Sequence, residues 1–205
     1  MKLFPSTIPI FPLSGVIYFP KTNLPLNIFE QRYLDLVNDT YRKDKLMGMV
    51  QSQKSGSEVY RIGCLGKISD LQKSKDGRIL INLTGLTRFN IVKEVPNNKL
   101  YREFQVDYNN FINEVGNDQC EIDASGLMVK AKPFFKKNGL LLNWKEFEKL
   151  DQAQKINTLS MIAPITNEEK QKLLESISLE SKIRTLESIF SFYLYETNLN
   201  NHTIQ

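Results

Sequence analysis

Residues 62–89 read IGCLGKISDLQKSKDGRILINLTGLTRF, with two apolar-rich runs on either side of the turn Lys75-Asp76-Gly77-Arg78. The Asp-Gly pair supplies the positive φ angles that a tight hairpin turn requires. We therefore predict a β-hairpin whose strands span 62–73 and 78–84. This hairpin is the clearest sheet element of the N-terminal half.

Alternating polar and apolar residues extend the predicted sheet. Phe104, Val106 and Tyr108 alternate with polar residues, as do Phe89 and Ile91, which is the pattern of strands with one face in water. The N-terminal segment 7–28 is interrupted by Pro9, Pro12, Pro20 and Pro25. Because proline cannot donate a backbone hydrogen bond, we predict that this segment is an edge strand broken by loops rather than a central strand.

One amphipathic helix is predicted at 29–43. Its apolar residues fall on one face at helical spacing, namely Phe29, Tyr33, Leu36, Val37 and Tyr41. We expect this face to cover one open side of the sheet.

After Asn117 the apolar period changes to 3.6 residues, which favours helices. We predict a bundle of helices near 120–137, 144–150, 151–163, 166–177 and 179–197. The last helix carries a long apolar stripe of Leu179, Ile183, Leu186, Phe190, Tyr193 and Leu194. The predicted domains are therefore a β domain at 1–117 and a helical bundle at 118–205.

Capping residues place the starts of three of these helices. Thr166 with Glu169 forms a potential capping box, Asn143 with Glu146 repeats the pattern, and Asp151 is a third candidate cap. Pro133 is expected to kink or divide the first helix of the bundle. Residues 198–205 are predicted to be a frayed tail.

Composition excludes several classes of protein. The chain has 205 residues, of which 41% are hydrophobic and 24% charged, as in globular proteins. Its apolar runs are far shorter than the roughly 20 residues of a membrane span, and prolines interrupt any signal-peptide core, so we expect a cytoplasmic protein without a membrane partner. Cys64 and Cys120 lack paired spacing, which favours reduced thiols over a disulfide framework or a zinc site.

The excess of positive charge lies in the N-terminal half of the chain. Residues 1–117 contain 16 Lys and Arg against 11 Asp and Glu, whereas residues 118–205 contain 11 against 12. An excess of this size is more often a solvated face than a nucleic-acid site.

No catalytic motif is evident. His202, the single histidine, lies in the predicted tail, which excludes a histidine-based triad and a multi-histidine metal centre. The segment 63–67 resembles a phosphate loop only faintly, since Arg61 replaces the first glycine and Ile68 replaces Ser or Thr. We interpret Gly63 and Gly66 as positions where a strand bends or another backbone approaches closely. A carboxylate pair or a Ser-Lys dyad remains open but unsupported, and we predict no cofactor and no metal.

Spaced sequence blocks carry a resemblance to a known family. The blocks are Ile8-Pro9-Ile10-Phe11-Pro12-Leu13, Phe19-Pro20, Leu24-Pro25-Leu26-Asn27-Ile28-Phe29-Glu30-Gln31-Arg32-Tyr33, Ile62-Gly63 with Gly66, Asp76-Gly77, and Leu83-Thr84-Gly85-Leu86-Thr87-Arg88-Phe89. Together they resemble the LON substrate-binding domain, the accessory N-terminal domain of an ATP-dependent protease, and most of all its stand-alone members. Residues 167–175 are similar to the helical part of the same region.

This resemblance implies a fold of the α+β class, in which a PUA-like mixed sheet or pseudo-barrel with one amphipathic helix is followed by a helical bundle. The ATPase module and the Ser-Lys peptidase module of the full protease are missing from the sequence. The resemblance therefore implies a binding protein that is not an enzyme.

The matched blocks contain residues to which the resemblance assigns structural roles. They are Pro12, Pro20, Pro25, Phe29, Glu30, Arg32, Tyr33, Gly63, Gly66, Gly77, Gly85 and Arg88. We expect Phe29 and Tyr33 to pack the helix and Gly85 to relieve the backbone before Arg88. Glu30 and Arg88 are predicted to form a partly buried ion pair between the helix and the sheet.

The candidate polypeptide-binding residues combine aromatic rings with a cation. They are Tyr18, Phe19, Tyr60, Arg61 and Phe89, and such residue types are enriched at binding hot spots. The alternative is that Phe19 and Phe89 belong to the core and that Tyr60 is incidental. An extended peptide could also add a strand at the proline-interrupted edge.

These observations favour a noncatalytic module that binds unfolded or extended polypeptide, and we hypothesise an adaptor role in protein quality control, with a separate protease as a further partner. The alternative is an RNA-binding PUA-like module, for which affinity would fall steeply with salt. A small hydrolase ranks third. The sequence does not define the client or the oligomeric state.

Overall fold

The computed structural model describes residues 4–53, 58–111 and 122–202, with side chains of the last helix described through Tyr195. The chain forms two compact units, Met1–Asn117 and Asp118–Gln205. That these units are independent domains stays a prediction. Among the described residues, no helix is both long and apolar enough to cross a membrane.

Six strands and one helix make up the described part of the first unit. The strands are β1 (Thr7–Leu13), β2 (Asn23–Ile28), β3 (Leu46–Gln51), β4 (Ile62–Lys73), β5 (Ile79–Val95) and β6 (Arg102–Asp107). The helix α1 (Gln31–Tyr41) lies between β2 and β3 in the chain.

The sheet closes on itself through β5. The strand order is β2-β5-β4-β3-β1-β6, and β6 also pairs with β5, so five strands form a ring that excludes β2. Closure is possible because β5 has 17 residues: its first part pairs with β2 and its last part with β6. The β1–β3 pair is parallel and the others are antiparallel. The predicted α+β class with a mixed sheet and pseudo-barrel is confirmed.

The hairpin predicted from the Asp-Gly pair is confirmed. β4 and β5 pair from Ile62 to Lys73, and Gly77 in the turn has a φ of +88°. Asp76 does not have a positive φ, so the prediction that both residues supply one is wrong for Asp76. Register shifts occur after Leu65 and Ile68. Bulges of this kind increase the local twist, which helps a sheet to curl into a barrel.

β1 is not an edge strand, so the prediction for the segment 7–28 is wrong in its first part. Thr7–Ile10 pairs with β6, and Ile10–Leu13 pairs with β3. The edge strand is β2, which pairs with β5 alone.

The prolines of β1 are tolerated because the strand exchanges neighbours at its midpoint. Backbone groups of alternate residues point to opposite sides of a strand. The Ser6 carbonyl accepts a hydrogen bond from β6, and the Leu13 carbonyl accepts one from the residue after β3. The backbone N–H and C=O groups of even-numbered residues in β1 therefore face β6, and those of odd-numbered residues face β3. The backbone nitrogen of Pro9 therefore faces β3, at a position before the β1–β3 pairing begins. The backbone nitrogen of Pro12 faces β6, at a position after the β1–β6 pairing has ended. Neither position requires an N–H donor.

The barrel interior is filled by side chains that alternate along the strands. This core contains Ile8, Ile10, Val50, Leu65, Phe89, Phe104 and Val106. Gly63 has no space for a side chain, since a Cβ there would lie 2.5 Å from the Met49 carbonyl oxygen. The prediction of close backbone approach at this glycine is confirmed.

α1 is shorter than predicted, and its apolar face differs at both ends. Tyr33, Leu36 and Val37 are buried, as expected. Phe29 precedes the helix and is 66% exposed, so it does not pack the helix as predicted. Tyr41 ends the helix and is 38% exposed. Helical periodicity could not show that α1 begins after Phe29 and that the Phe29 side chain is exposed.

The second unit contains helices close to the predicted ones. They are α2 (Ser125–Lys137), α3 (Trp144–Glu148), α4 (Gln152–Ile162), α5 (Asn167–Glu175) and α6 (Leu179–His202). α2 runs through Pro133 without division. α6 extends to His202, so the prediction of a frayed tail is wrong for residues 198–202, because a helix that is already formed needs only one hydrogen bond per added residue. Residues 203–205 and Cys120 lie outside the described residues.

The predicted caps are confirmed. Thr166 and Glu169 form a reciprocal capping box, and Asp151 forms one with Gln154. The Asn143 side chain accepts the backbone N–H at the third position of α3.

Candidate functional site

Three of the five predicted polypeptide-binding residues are inside the protein. Tyr18, Phe19 and Phe89 are each at most 2% exposed. The prediction that they form a binding surface is wrong, because Phe89 belongs to the barrel core, Phe19 lies against Gly85 of β5, and Tyr18 is buried. Tyr60 is half-buried and Arg61 is exposed beside the start of β4. A binding role for this remaining pair stays a prediction.

The predicted ion pair between Glu30 and Arg88 does not form. Glu30 is the N-cap residue of α1 and pairs with Arg32 at 2.7 Å, where both side chains are about half exposed. Arg88 is 1% exposed, and its guanidinium lies 4.2 Å from the ring centroid of Phe111. Thr87, Arg88 and Phe89 are all buried, so β5 is covered on both faces at this point. A sequence motif could not reveal that Arg88 faces the side closed by Phe111.

A groove opens where β1 loses its β6 neighbour. Phe11, Pro12 and Leu13 form one wall, and the other walls come from the start of α1 and from residues 100–102. Its volume is about 690 Å³. Because Pro12 has no N–H and faces this side, no backbone donor of β1 is left unpaired at that position. We call this depression the β1 groove.

Three aromatic side chains border the β1 groove, namely Phe11, Tyr33 and Tyr101, and all three are largely buried. The ring of Phe11 contacts Tyr33 edge to face, with 4.2 Å between ring centroids. The Tyr101 hydroxyl donates to Asp39 of α1 at 2.8 Å, which ties the wall before β6 to the helix. Burial raises the pKa of both tyrosine hydroxyls, so they stay protonated at neutral pH. Leu100 lies at the rim and is 65% exposed.

The charged groups of the β1 groove are paired. Arg102 forms a bidentate pair with Glu94, with nitrogen–oxygen distances of 2.7 and 2.8 Å. Arg32 lies 4.6 Å above the Tyr33 ring while it pairs with Glu30. The β1 groove therefore combines apolar and polar side chains, and its charged groups are already compensated within the protein.

The described residues contain no group of three or more His, Cys, Asp or Glu side chains placed to hold a metal ion. In the β1 groove itself, every described side chain that titrates is a tyrosine or belongs to an ion pair.

The family follows from comparison with known proteins. The family model of the ATP-dependent protease La (LON) substrate-binding domain matches residues 7–190. The chain belongs to this family. The resemblance predicted from the spaced sequence blocks is thereby confirmed.

Two curated LON relatives show how the chain relates to the proteases. The Lon protease of Syntrophus aciditrophicus (strain SB) is 26% identical over 94% of this chain and 26% of that protein. The Lon protease of Cytophaga hutchinsonii is 31% identical over 45% of this chain and 12% of that protein. The chain spans about a quarter or less of the length of these relatives.

Two solved structures share the LON fold. A Lon N-terminal domain protein from Xanthomonas campestris superimposes with a TM-score of 0.68 at 23% identity, covering 90% of this chain and 98% of that one. The N-terminal domain of Mycobacterium avium complex Lon protease gives 0.67 at 14% identity, with the same coverage.

Sequence reasoning missed the β1 groove of this LON domain. The sequence blocks that carry the family resemblance do not include Leu100, Tyr101 or Arg102. They do include Leu13, but no binding role was predicted for it. The available signal for the groove was the pair of prolines three residues apart in β1, Pro9 and Pro12. Because proline lacks an N–H donor, each position requires that no neighbouring strand pairs with β1 on the side that its nitrogen faces.

We expect the Glu94–Arg102 pair to add acid-sensitive stability. The hydrogen bond from Arg102 holds the pKa of Glu94 below its ordinary value of 4.5. Stability from a lowered carboxyl pKa is present above pH 4.5 and is lost as the pH falls through the folded-state value. Because both side chains are more than a third exposed, Glu94→Gln should cost only about 0.5 kcal/mol at pH 7.

Urea unfolding between pH 3 and pH 7, followed by the near-ultraviolet circular dichroism of tyrosine, measures this effect. The free energies of the wild-type protein and of Glu94→Gln should converge at low pH. The exposed Glu58 provides the matched control, Glu58→Gln. A constant difference between wild type and Glu94→Gln at every pH would contradict the prediction.

Proposed function

We propose that this LON domain binds unfolded or extended polypeptide in the β1 groove and does not cleave it. The observation that carries the proposal is the groove itself, with the partly exposed Pro12 and Leu13, its paired charges and the exposed Leu100 at its rim. The family description as a substrate-binding domain supports the same function.

The groove predicts only a weak preference for the sequence of the bound polypeptide. Pro12, Leu13 and Leu100 offer apolar contact without a deep pocket for one defined side chain. Because the neighbouring Arg32 and Arg102 are already neutralised, a client needs no particular charge. Exposed apolar segments are common to unfolded proteins, so a recognition module of this kind suits an adaptor in cytoplasmic protein quality control that delivers clients to a separate protease.

Binding of fluorescein-labelled casein, an unfolded polypeptide, tests the proposal. We expect Leu100→Asp to weaken binding at least tenfold, because it places an unpaired charge beside the apolar lining. Fluorescence anisotropy of the full chain at 50 and 200 mM salt gives the dissociation constants. The affinity should change little between these salt concentrations, and the casein should remain intact on a gel.

Val92→Asp is the matched control. Val92 is 57% exposed on β5 and does not line the β1 groove. It should alter casein affinity less than twofold, and both variants should remain folded because both side chains are exposed. Equal loss of affinity in the two variants would refute the β1 groove as the site, and cleaved casein would refute the noncatalytic assignment.

A further inference from the structure

Three consecutive leucines connect two helices of the second unit. They are residues 140–142, between the end of α2 and the start of α3. Leu141 is fully exposed, and Leu140 is 38% exposed. We call Leu140, Leu141 and Leu142 the leucine tip.

The backbone holds the leucine tip in place from both sides. Gly139 has a φ of 68°, and its N–H donates to the Lys136 carbonyl at 3.1 Å. The Leu140 N–H donates to the Phe135 carbonyl at 3.0 Å, and the two hydrogen bonds together form a Schellman motif that ends α2. On the other side, the Asn143 side chain caps α3. The leucines are therefore exposed by two capped helix ends rather than by fraying.

Cations flank the leucine tip in the chain. Lys136 and Lys137 end α2, Lys145 lies in α3, and all three side chains are exposed. Within the part of the chain that the structure describes, Lys136 and Lys145 form no ion pair, and Lys137 donates to the uncharged Tyr193 carbonyl. The carboxylates of α3 are paired with other lysines, namely Glu146 with Lys149 and Glu148 with Lys132. The flanks of the tip therefore carry an excess of positive charge.

Helix stability explains only part of this arrangement. Cations in the last turn of α2 interact favourably with the unpaired carbonyl groups there, which accounts for Lys136 and Lys137. A single exposed leucine is also common at protein surfaces. Neither reason explains why adjacent leucines are presented to water between unpaired lysines.

The combination of leucines and lysines matches the interface of an anionic membrane. Aliphatic side chains enter the boundary between headgroups and acyl chains, while lysines contact the anionic headgroups. An apolar groove on a protein could hold the leucines alone. Lysines on both flanks of the tip instead match negative charge spread over a wide surface, which a bilayer with anionic lipids provides.

We propose that the leucine tip docks on the surface of an anionic phospholipid membrane. Leu140 and Leu141 enter the interface, and the three flanking lysines contact the headgroup phosphates. This function goes beyond polypeptide binding and uses residues of the second unit only. Because peripheral contact needs no membrane-spanning helix, the proposal replaces the sequence-based expectation that the protein has no membrane partner.

Cosedimentation of the full chain with vesicles of equal parts phosphatidylglycerol and phosphatidylcholine tests the proposal. Leu141→Asp should weaken vesicle binding at least tenfold, because a carboxylate replaces an inserting side chain and is repelled by the headgroups. Ile177→Asp is the matched control, since Ile177 lies between α5 and α6 and is 88% exposed. It should change vesicle affinity less than twofold.

The flanking charge is tested by the double variant Lys136→Gln, Lys145→Gln. It should weaken binding at least tenfold at 50 mM salt, since each cation near an anionic surface contributes about fivefold. The affinity of the wild-type protein should fall between 50 and 200 mM salt because ions screen the lysines. Vesicles of phosphatidylcholine alone should bind far more weakly.

Trp144 reports whether the tip itself meets the lipid. It is the only tryptophan and lies three residues after Leu141. Brominated acyl chains, which quench tryptophan on close approach, should quench Trp144 in the wild-type protein and not in Leu141→Asp. Unchanged near-ultraviolet circular dichroism of Leu141→Asp without vesicles would show that the variant is folded.

Binding to membranes and binding to polypeptide are separable. Leu100→Asp in the β1 groove should leave vesicle affinity unchanged, and Leu141→Asp should leave casein affinity unchanged. The proposal is overturned by absence of vesicle binding at 50 mM salt, by equal loss in Ile177→Asp, or by equal binding to phosphatidylcholine alone. It is also overturned if Leu141→Asp weakens casein binding or dissociates an oligomer, since the tip would then bind a client or a second copy of the chain.

Discussion

Replacing Phe134 with alanine is expected to lower the free energy of unfolding of the helical unit by about 3–5 kcal/mol. Phe134 is fully buried in α2 and stacks on Phe190 of α6, with 4.2 Å between ring centroids and 15° between ring planes. It also meets Phe135 and Tyr193 edge to face. Truncation removes all three aromatic contacts and leaves a cavity that the packed helices can fill only in part.

Trp144 reports on this unit alone, because it is the only tryptophan of the chain. It packs edge to face with Phe135 and Phe147, so unfolding of the helices changes its surroundings. Urea titrations followed by tryptophan fluorescence should show the loss of stability. Val129→Ala is the matched control, since Val129 lies on the same helix and is 75% exposed. A shift below 1 kcal/mol for Phe134→Ala would show that the stacked pair does not hold α2 and α6 together.

Substituting Gly85 with alanine is expected to destabilise the barrel by about 3 kcal/mol, at the upper end of the usual cost of overpacking. A Cβ at this position would lie 2.3 Å from the Phe19 carbonyl oxygen and 3.0 Å from the Pro20 Cα. Both obstacles are backbone atoms, which cannot move aside as a flexible side chain can. The displacement would also disturb the hydrogen bond from the Gly85 N–H to the Thr22 carbonyl at 2.9 Å.

Hydrogen exchange measured by mass spectrometry on peptides from β4 and β5 gives the free energy of opening of this region. The amides of both strands should lose protection in Gly85→Ala. Leu80→Ala provides the control on the same strand, because Leu80 is 45% exposed and its truncation leaves no internal cavity. Unchanged protection in Gly85→Ala would mean that Phe19 and Pro20 can move away from β5 without cost.

Local signals in the sequence were sufficient for much of the secondary structure. Asp76-Gly77 placed the β4–β5 turn because few residues adopt a positive φ. Thr166 with Glu169 placed the start of α5, since both hydrogen bonds of a capping box are made within four residues. The blocks that carried the family resemblance predicted the fold class that the structure shows.

The binding residues were harder to predict because accessibility is not local. Tyr18, Phe19 and Phe89 have the composition of a hot spot, yet packing buries them. Phe29 fits the helical period of α1 but lies outside the helix and is exposed. The same aromatic side chain serves a core or a surface, and only its neighbours in space determine which.

Tertiary pairing likewise determined which strand has an open edge. Proline content alone assigned Pro9 and Pro12 to an edge strand, although β1 has neighbours on both sides. Closure of the barrel through the long β5 strand gives β1 a different neighbouring strand along each half of its length. This change of neighbour accommodates the two prolines and opens the β1 groove. Caps, turns and periodicity are set by residues close in the chain and so can be derived from sequence. Barrel closure depends on pairing between residues far apart in the chain, which only the folded structure specifies.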